Sequence, residues 1–69
     1  MNFSQKIYFL RTKRGLTQKE LATLTGLTQG VIAKYETKGT RPSGDTLIKL
    51  AKVFGIKPEI LIDDERSVS

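Results

Sequence analysis

A chain of 69 residues with no Cys and no His makes one domain with a modest core. It lacks the ligands for zinc or iron–sulfur staples and the groups for Ser-His or Cys-His catalysis, so no metal, no cofactor and no enzymatic role is expected. Across residues 1–57, eleven Lys and Arg oppose Glu20, Glu36 and Asp45, a balance of +8; residues 58–69 carry Arg66 against Glu59, Asp63, Asp64 and Glu65, a balance of −3. A basic body suits a polyanion such as nucleic acid, although a merely solvated cationic surface has the same composition. No apolar run approaches the roughly 20 residues of a membrane span. The N-terminus has no apolar stretch with a small-residue cleavage site, and the absence of Cys fits a reducing cytoplasm.

Apolar residues recur at helical spacing in short blocks separated by Gly or Pro. Phe3, Ile7 and Leu10 share one face of a first helix, which Gly15 ends. Thr17 and Glu20 form a T-x-x-E capping box for a second helix, with Leu16 and Leu21 in the positions of a hydrophobic staple. Leu21 and Leu24 are its expected apolar stripe, with Ala22 beside them. Gly26 can adopt the positive φ of a tight turn. Thr28 is a good N-cap for a third helix, 28–37, with Leu27 and Ile32 as its staple and Val31, Ile32 and Tyr35 as its apolar residues. Leu47, Leu50, Ala51 and Phe54 make a fourth helix stopped by Gly55. Pro58, at a first helical position, begins a fifth that carries Ile60, Leu61 and Ile62. No segment alternates with period two. The expected fold is therefore all-α, with five helices in a domain over 1–62 and a polar acidic tail over 63–69.

Two short helices joined by a glycine turn make a helix-turn-helix. The stretch GLTQKELATLTGLTQGVIAKYETKGTRP, residues 15–42, closely resembles the helix-turn-helix of the lambda-repressor-like, XRE-type (Cro-like) family. The likeness continues through LIKLAKVFGIKPEILI, residues 47–62. Counting Gln18 as the first motif position, Ala22 is fifth, Gly26 ninth, Ile32 fifteenth and Tyr35 eighteenth. Ala22 lets the two helices approach, Gly26 makes the turn, and Ile32 and Tyr35 fix the third helix to the core.

The resemblance implies sequence-specific binding of double-stranded DNA by a transcriptional regulator, a bacterial or prophage repressor, with the third helix in the major groove. Thr28, Gln29, Gly30 and Lys34 then face bases. A Gln amide pairs with adenine N6 and N7, and a Lys donates to guanine O6 or N7. Val31 is expected to pack instead. Gly30 departs from the family's usual small polar residue. Gln18, Thr28, Lys38, Thr40 and Arg41 are implied phosphate contacts, with Lys38, Thr40 and Arg41 in a loop that Gly39 keeps flexible. Phosphate contacts supply affinity and register rather than sequence choice. Lys6, Lys13, Lys19, Lys49, Lys52 and Lys57 read as solvated helix faces. Arg11 and Glu36 stand where the family pairs helix 1 with the end of the recognition helix, and a largely buried ion pair is expected. Ile56, Pro58 and Ile60 are the implied dimer contacts on a pseudo-palindromic operator, with Leu61 more suited to the core. An antitoxin or protein-interaction module is the competing function on the same fold. RNA binding is disfavoured by the lack of aromatic stacking platforms.

Overall fold

The computed structural model describes residues 1–62 as five helices with no strand among them. They are α1 (Phe3–Lys13), α2 (Gln18–Thr25), α3 (Gln29–Lys38), α4 (Gly44–Phe54) and α5 (Pro58–Ile62). The expected acidic tail, 63–69, lies outside the described residues.

Side-chain caps fix where the helices begin. Thr17 accepts from the Glu20 amide while the Glu20 carboxylate accepts from the Thr17 amide, closing the capping box of α2. Thr28 and Ser43 cap α3 and α4 by accepting from the Val31 and Thr46 amides. A second capping box, Asn2 with Gln5, starts α1; it follows the same logic with amide side chains. Thr17→Ala is expected to cost about 1 kcal/mol and to lower the melting temperature by roughly 4–8 °C in a domain of this size. Thermal unfolding followed by circular dichroism checks both.

Gly26 ends α2 in the left-handed region, at φ 73°, and the Leu27 amide reaches back to the Ala22 carbonyl at 2.9 Å. This one residue sets the angle between α2 and α3. Gly39, expected as a flexible loop residue, is instead the left-handed stop of α3. The recognition helix consequently runs through Lys38, which belongs to its last turn and not to the loop.

The core gathers Phe3 and Ile7 of α1, Leu21 and Ala22 of α2, Ile32 and Tyr35 of α3, Leu50 and Phe54 of α4, and Leu61 of α5. Leu10, Leu16, Leu27, Val31, Leu47, Val53 and Ile56 pack on its margin. Leu24 departs from expectation, for it is 58% exposed. The inward arc of α2 runs through Leu21, Ala22 and Thr25, and position 24 falls outside it. Thr25 is buried in its place because its hydroxyl donates to the Leu21 and Ala22 carbonyls and so carries no unmet polar group into the core.

Cations hold the short final elements. Arg14 donates to the Val53 and Phe54 carbonyls at the end of α4. Lys6, expected to be merely solvated, donates from Nζ to the Ile60 carbonyl at 2.8 Å. Positive charge at a helix C-terminus meets the exposed carbonyls and the negative end of the helix dipole. With only five residues, α5 cannot hold itself together. The burial of Leu61 and the Lys6 bond to Ile60 dock it onto α1.

Candidate nucleic-acid interface

The orientation of α3 follows from which side is anchored. Ile32 is fully buried and Tyr35 nearly so. The Tyr35 ring meets Phe3 edge-on, with centroids 5.6 Å apart, and Ser4 Oγ donates to the Tyr35 carbonyl at 2.6 Å. Burial raises the Tyr35 phenol above its ordinary pKa, so the ring stays neutral. With that side held, Thr28, Gln29, Gly30 and Lys34 are all solvent-exposed. Val31 is half-buried against the core margin. Thr28 Oγ1 accepts from the Val31 amide, which leaves its own proton for an outside acceptor.

Behind the C-terminal half of α3 lies a polar network. Arg11 Nε donates to Glu36 Oε2 at 2.6 Å and Arg11 Nη2 to Glu36 Oε1 at 3.0 Å, a bidentate pair. The side chains are 12% and 5% exposed. Arg11 Nη1 donates to the Leu16 carbonyl at 2.8 Å, in the turn before α2. The Arg11 guanidinium also lies over the Tyr8 ring. The hydrogen bond to Glu36 raises the Arg11 pKa, and burial opposes it without prevailing.

Gln18 joins this network, its Nε2 donating to Glu36 Oε1 at 3.1 Å. Glu36 thus ties α1, α2 and α3 together. Gln18 is half-buried at the start of α2, next to the backbone amides that a helix N-terminus turns outward. The capping box occupies the Thr17 and Glu20 amides, so those of Gln18 and Lys19 are the outward pair. The sequence gives no local signal of the Gln18–Glu36 bond, because eighteen residues separate the partners.

Lys38, Thr40 and Arg41 are exposed along the end of α3 and the following loop. The Arg41 guanidinium also reaches the Ile62 carbonyl at 3.4 Å, a link to α5 that spacing does not reveal. At the far end, Ile60 is 52% exposed, whereas Ile56 and Pro58 are half-buried. Among the described residues no group of His, Cys, Asp and Glu is placed to hold a metal, and no helix is long and apolar enough to cross a membrane.

Five helices around one core, with the third of them exposed beyond a glycine turn, are the architecture of lambda-repressor-like helix-turn-helix domains. The chain belongs to the helix-turn-helix family, whose model matches residues 7–61. It is 39% identical over 66 residues to the cryptic phage CTXphi transcriptional repressor RstR of Vibrio cholerae, covering 94% of this chain and 59% of RstR. It is 30% identical over 60 residues to the SPbeta prophage-derived HTH-type transcriptional regulator YonR of Bacillus subtilis, covering 87% of this chain and 56% of YonR. The chain thus spans less than two thirds of the length of these relatives. Among solved structures, the P22 c2 repressor in complex with a synthetic operator superposes with a TM-score of 0.87 at 25% identity, covering 94% of this chain and 98% of that one. These relatives are transcriptional regulators.

Proposed function

We propose that this chain is a sequence-specific double-stranded-DNA-binding transcriptional regulator, a bacterial or prophage repressor working in the cytoplasm. The observation that carries the reading is the division of α3. Ile32 and Tyr35 hold one side in the core while Gln29, Gly30 and Lys34 stand in solvent on the other. A helix presented this way fits the major groove, about 12 Å wide, with its N-terminal turn toward base edges. Its kinship with phage and prophage regulators, and the operator bound by the P22 c2 repressor, support the same reading.

The roles divide by chemistry. Gln29 and Lys34 read base edges, with Thr28 and Gly30 at the same surface. Gln18, Thr28, Lys38, Thr40 and Arg41 grip phosphates and fix the register. One such helix covers few base pairs, so the protein acts as a homodimer on a pseudo-palindromic operator, with half-sites about one helical turn apart. The apolar exposure of Ile60, flanked by Ile56 and Pro58, suits that contact.

Selection of bound duplexes from a random DNA pool is expected to return a palindromic consensus. A purified sample that retains no duplex at low ionic strength would overturn the reading. Gln29→Ala is expected to relax preference at one base pair, losing about 1–3 kcal/mol of discrimination there, while binding to random-sequence duplex stays constant. Competition titrations against single-base operator variants check this, and an equal loss on every sequence would remove Gln29 from the readout.

A further inference from the structure

Of the two Tyr and three Phe in the chain, Phe3, Tyr35 and Phe54 are buried in the core, whereas Tyr8 and Phe9, both on α1, are 56% and 44% exposed. At a turn of 3.6 residues, Phe3, Ile7 and Leu10 form the inward stripe of α1. Tyr8 and Phe9 then stand on either side of its outermost line, where polar groups alone would serve the fold. Met1 adds a third large exposed apolar side chain. Apolar residues exposed singly are ordinary, but an adjoining group rimmed by polar residues marks an interaction surface. Tyr, Phe and Met are also the types enriched where proteins meet.

The surface has a shape and a sign of charge. Tyr8 and Phe9 join Met1, Ser4, Gln5 and Glu36 around a groove of about 400 Å³. None of the residues assigned to DNA above lines it. No acidic residue precedes Glu20 in the chain, whereas Lys6, Arg11, Lys13 and Arg14 lie on α1 or directly after it. Of these cations only Arg11 meets an opposite charge among the described residues, that of Glu36. Lys6 and Arg14 donate to neutral carbonyls, and the Lys13 ammonium lies over the Phe9 ring, 5.6 Å from its centroid. The field over the groove is therefore positive. A second copy of this face would bring like charges together. Stacked bases would have to displace Arg11 and Lys13 from the rings they already cover. Apolar side chains that enter the groove, carried on a segment whose carboxylates meet Lys13, match both features.

The structure assigns the outer face of α1 to docking an acidic, amphipathic segment of another protein. Tyr8 and Phe9 are its apolar anchors, and Lys13 is its charge contact.

The test is a displayed random-peptide pool, panned on the full chain in the presence of saturating random-sequence duplex and counter-selected on Phe9→Ala. It is expected to enrich peptides that combine Asp or Glu with large apolar residues. For an enriched peptide made synthetically, Tyr8→Ala and Phe9→Ala should each weaken binding about tenfold or more, as truncated interface anchors do. Lys13→Ala should weaken it about two- to fivefold, the worth of an exposed ion pair. Phe9→Ala is expected to stay folded and to bind duplex DNA as the wild type does, which separates a lost contact from a lost fold. No enrichment over the Phe9→Ala background overturns the assignment, as do enriched peptides that are neutral or basic, or that Tyr8→Ala and Lys13→Ala bind as well as the wild type. Binding of single-stranded oligothymidylate that Phe9→Ala abolishes would give the face to nucleic acid. Self-association in sedimentation that Phe9→Ala abolishes would give it to a second copy. Either result overturns an acidic protein segment as the occupant.

Discussion

Glu36→Ala is expected to destabilise the domain by about 3–5 kcal/mol, a large part of the total for so small a protein. Removing the carboxylate strips Arg11 of both its hydrogen bonds to Glu36, at a side chain only 12% exposed in the intact pair and packed over the Tyr8 ring. The Leu16 carbonyl, its remaining hydrogen-bond partner in the network, is neutral. Gln18 Nε2 loses its acceptor as well. A cation held out of water without an opposing charge is costly, whereas the intact pair need not be stabilising relative to well-packed apolar residues. The double variant Arg11→Met/Glu36→Leu is therefore expected to recover most of the loss, because it removes both charges together. Urea unfolding of the wild type, both single variants and the double variant supplies the comparison. A loss below about 1 kcal/mol for Glu36→Ala would put the pair in the class of exposed ion pairs and refute the burial argument. Since Glu36 lies one turn beyond Ile32 on α3, Glu36→Ala is also expected to weaken DNA binding by loosening the recognition helix.

The helix order and the helix-turn-helix were legible because their determinants are local. Thr17 with Glu20, Thr28 and Gly26 act within three or four residues of themselves, and the spacing of Leu21, Ile32, Leu50 and Phe54 states which side faces inward. The errors arise where a local pattern is incomplete or the partner is distant. Leu24 satisfies helical periodicity, yet with eight residues α2 presents an arc narrow enough for Thr25 to displace it. Gly39 suggests a flexible loop from sequence, but its positive φ makes it a stop, and α3 runs on through Lys38 before it. The bonds of Gln18 to Glu36, Lys6 to Ile60 and Arg41 to Ile62 span 18, 54 and 21 residues. No periodicity encodes them. They depend on how α2 meets α3, how α1 meets α5 and how the loop after α3 meets α5, and each attaches a residue that reads as surface charge or phosphate ligand to the frame that positions it.

Lys38→Ala and Arg41→Ala should make the salt dependence of DNA binding shallower, and they should differ in a second respect. Each phosphate neutralised by a cation contributes about −0.9 to the slope of log K against log salt concentration. On a symmetric operator every substitution acts twice, so each variant is expected to flatten the slope by roughly 2. The loss should be nearly the same for operator and random-sequence duplex, because phosphates carry no sequence information. Lys38, at the end of α3, should do nothing more. Arg41 also reaches the Ile62 carbonyl at the end of α5, the element that bears the exposed Ile60. Arg41→Ala is therefore expected to loosen α5 and weaken self-association as well, visible by sedimentation in the absence of DNA and in lower cooperativity on the full operator. Titrations at several salt concentrations, on one half-site and on two, separate the effects. Lines parallel to the wild type would remove both residues from the phosphate contacts. An Arg41→Ala protein that keeps wild-type cooperativity would instead break the proposed connection between the proposed phosphate-binding loop and the proposed dimer contact. Position 41 is where the two proposed roles would meet: the same guanidinium extends from the loop proposed to grip the duplex to the end of α5, the helix proposed to pair one copy with another.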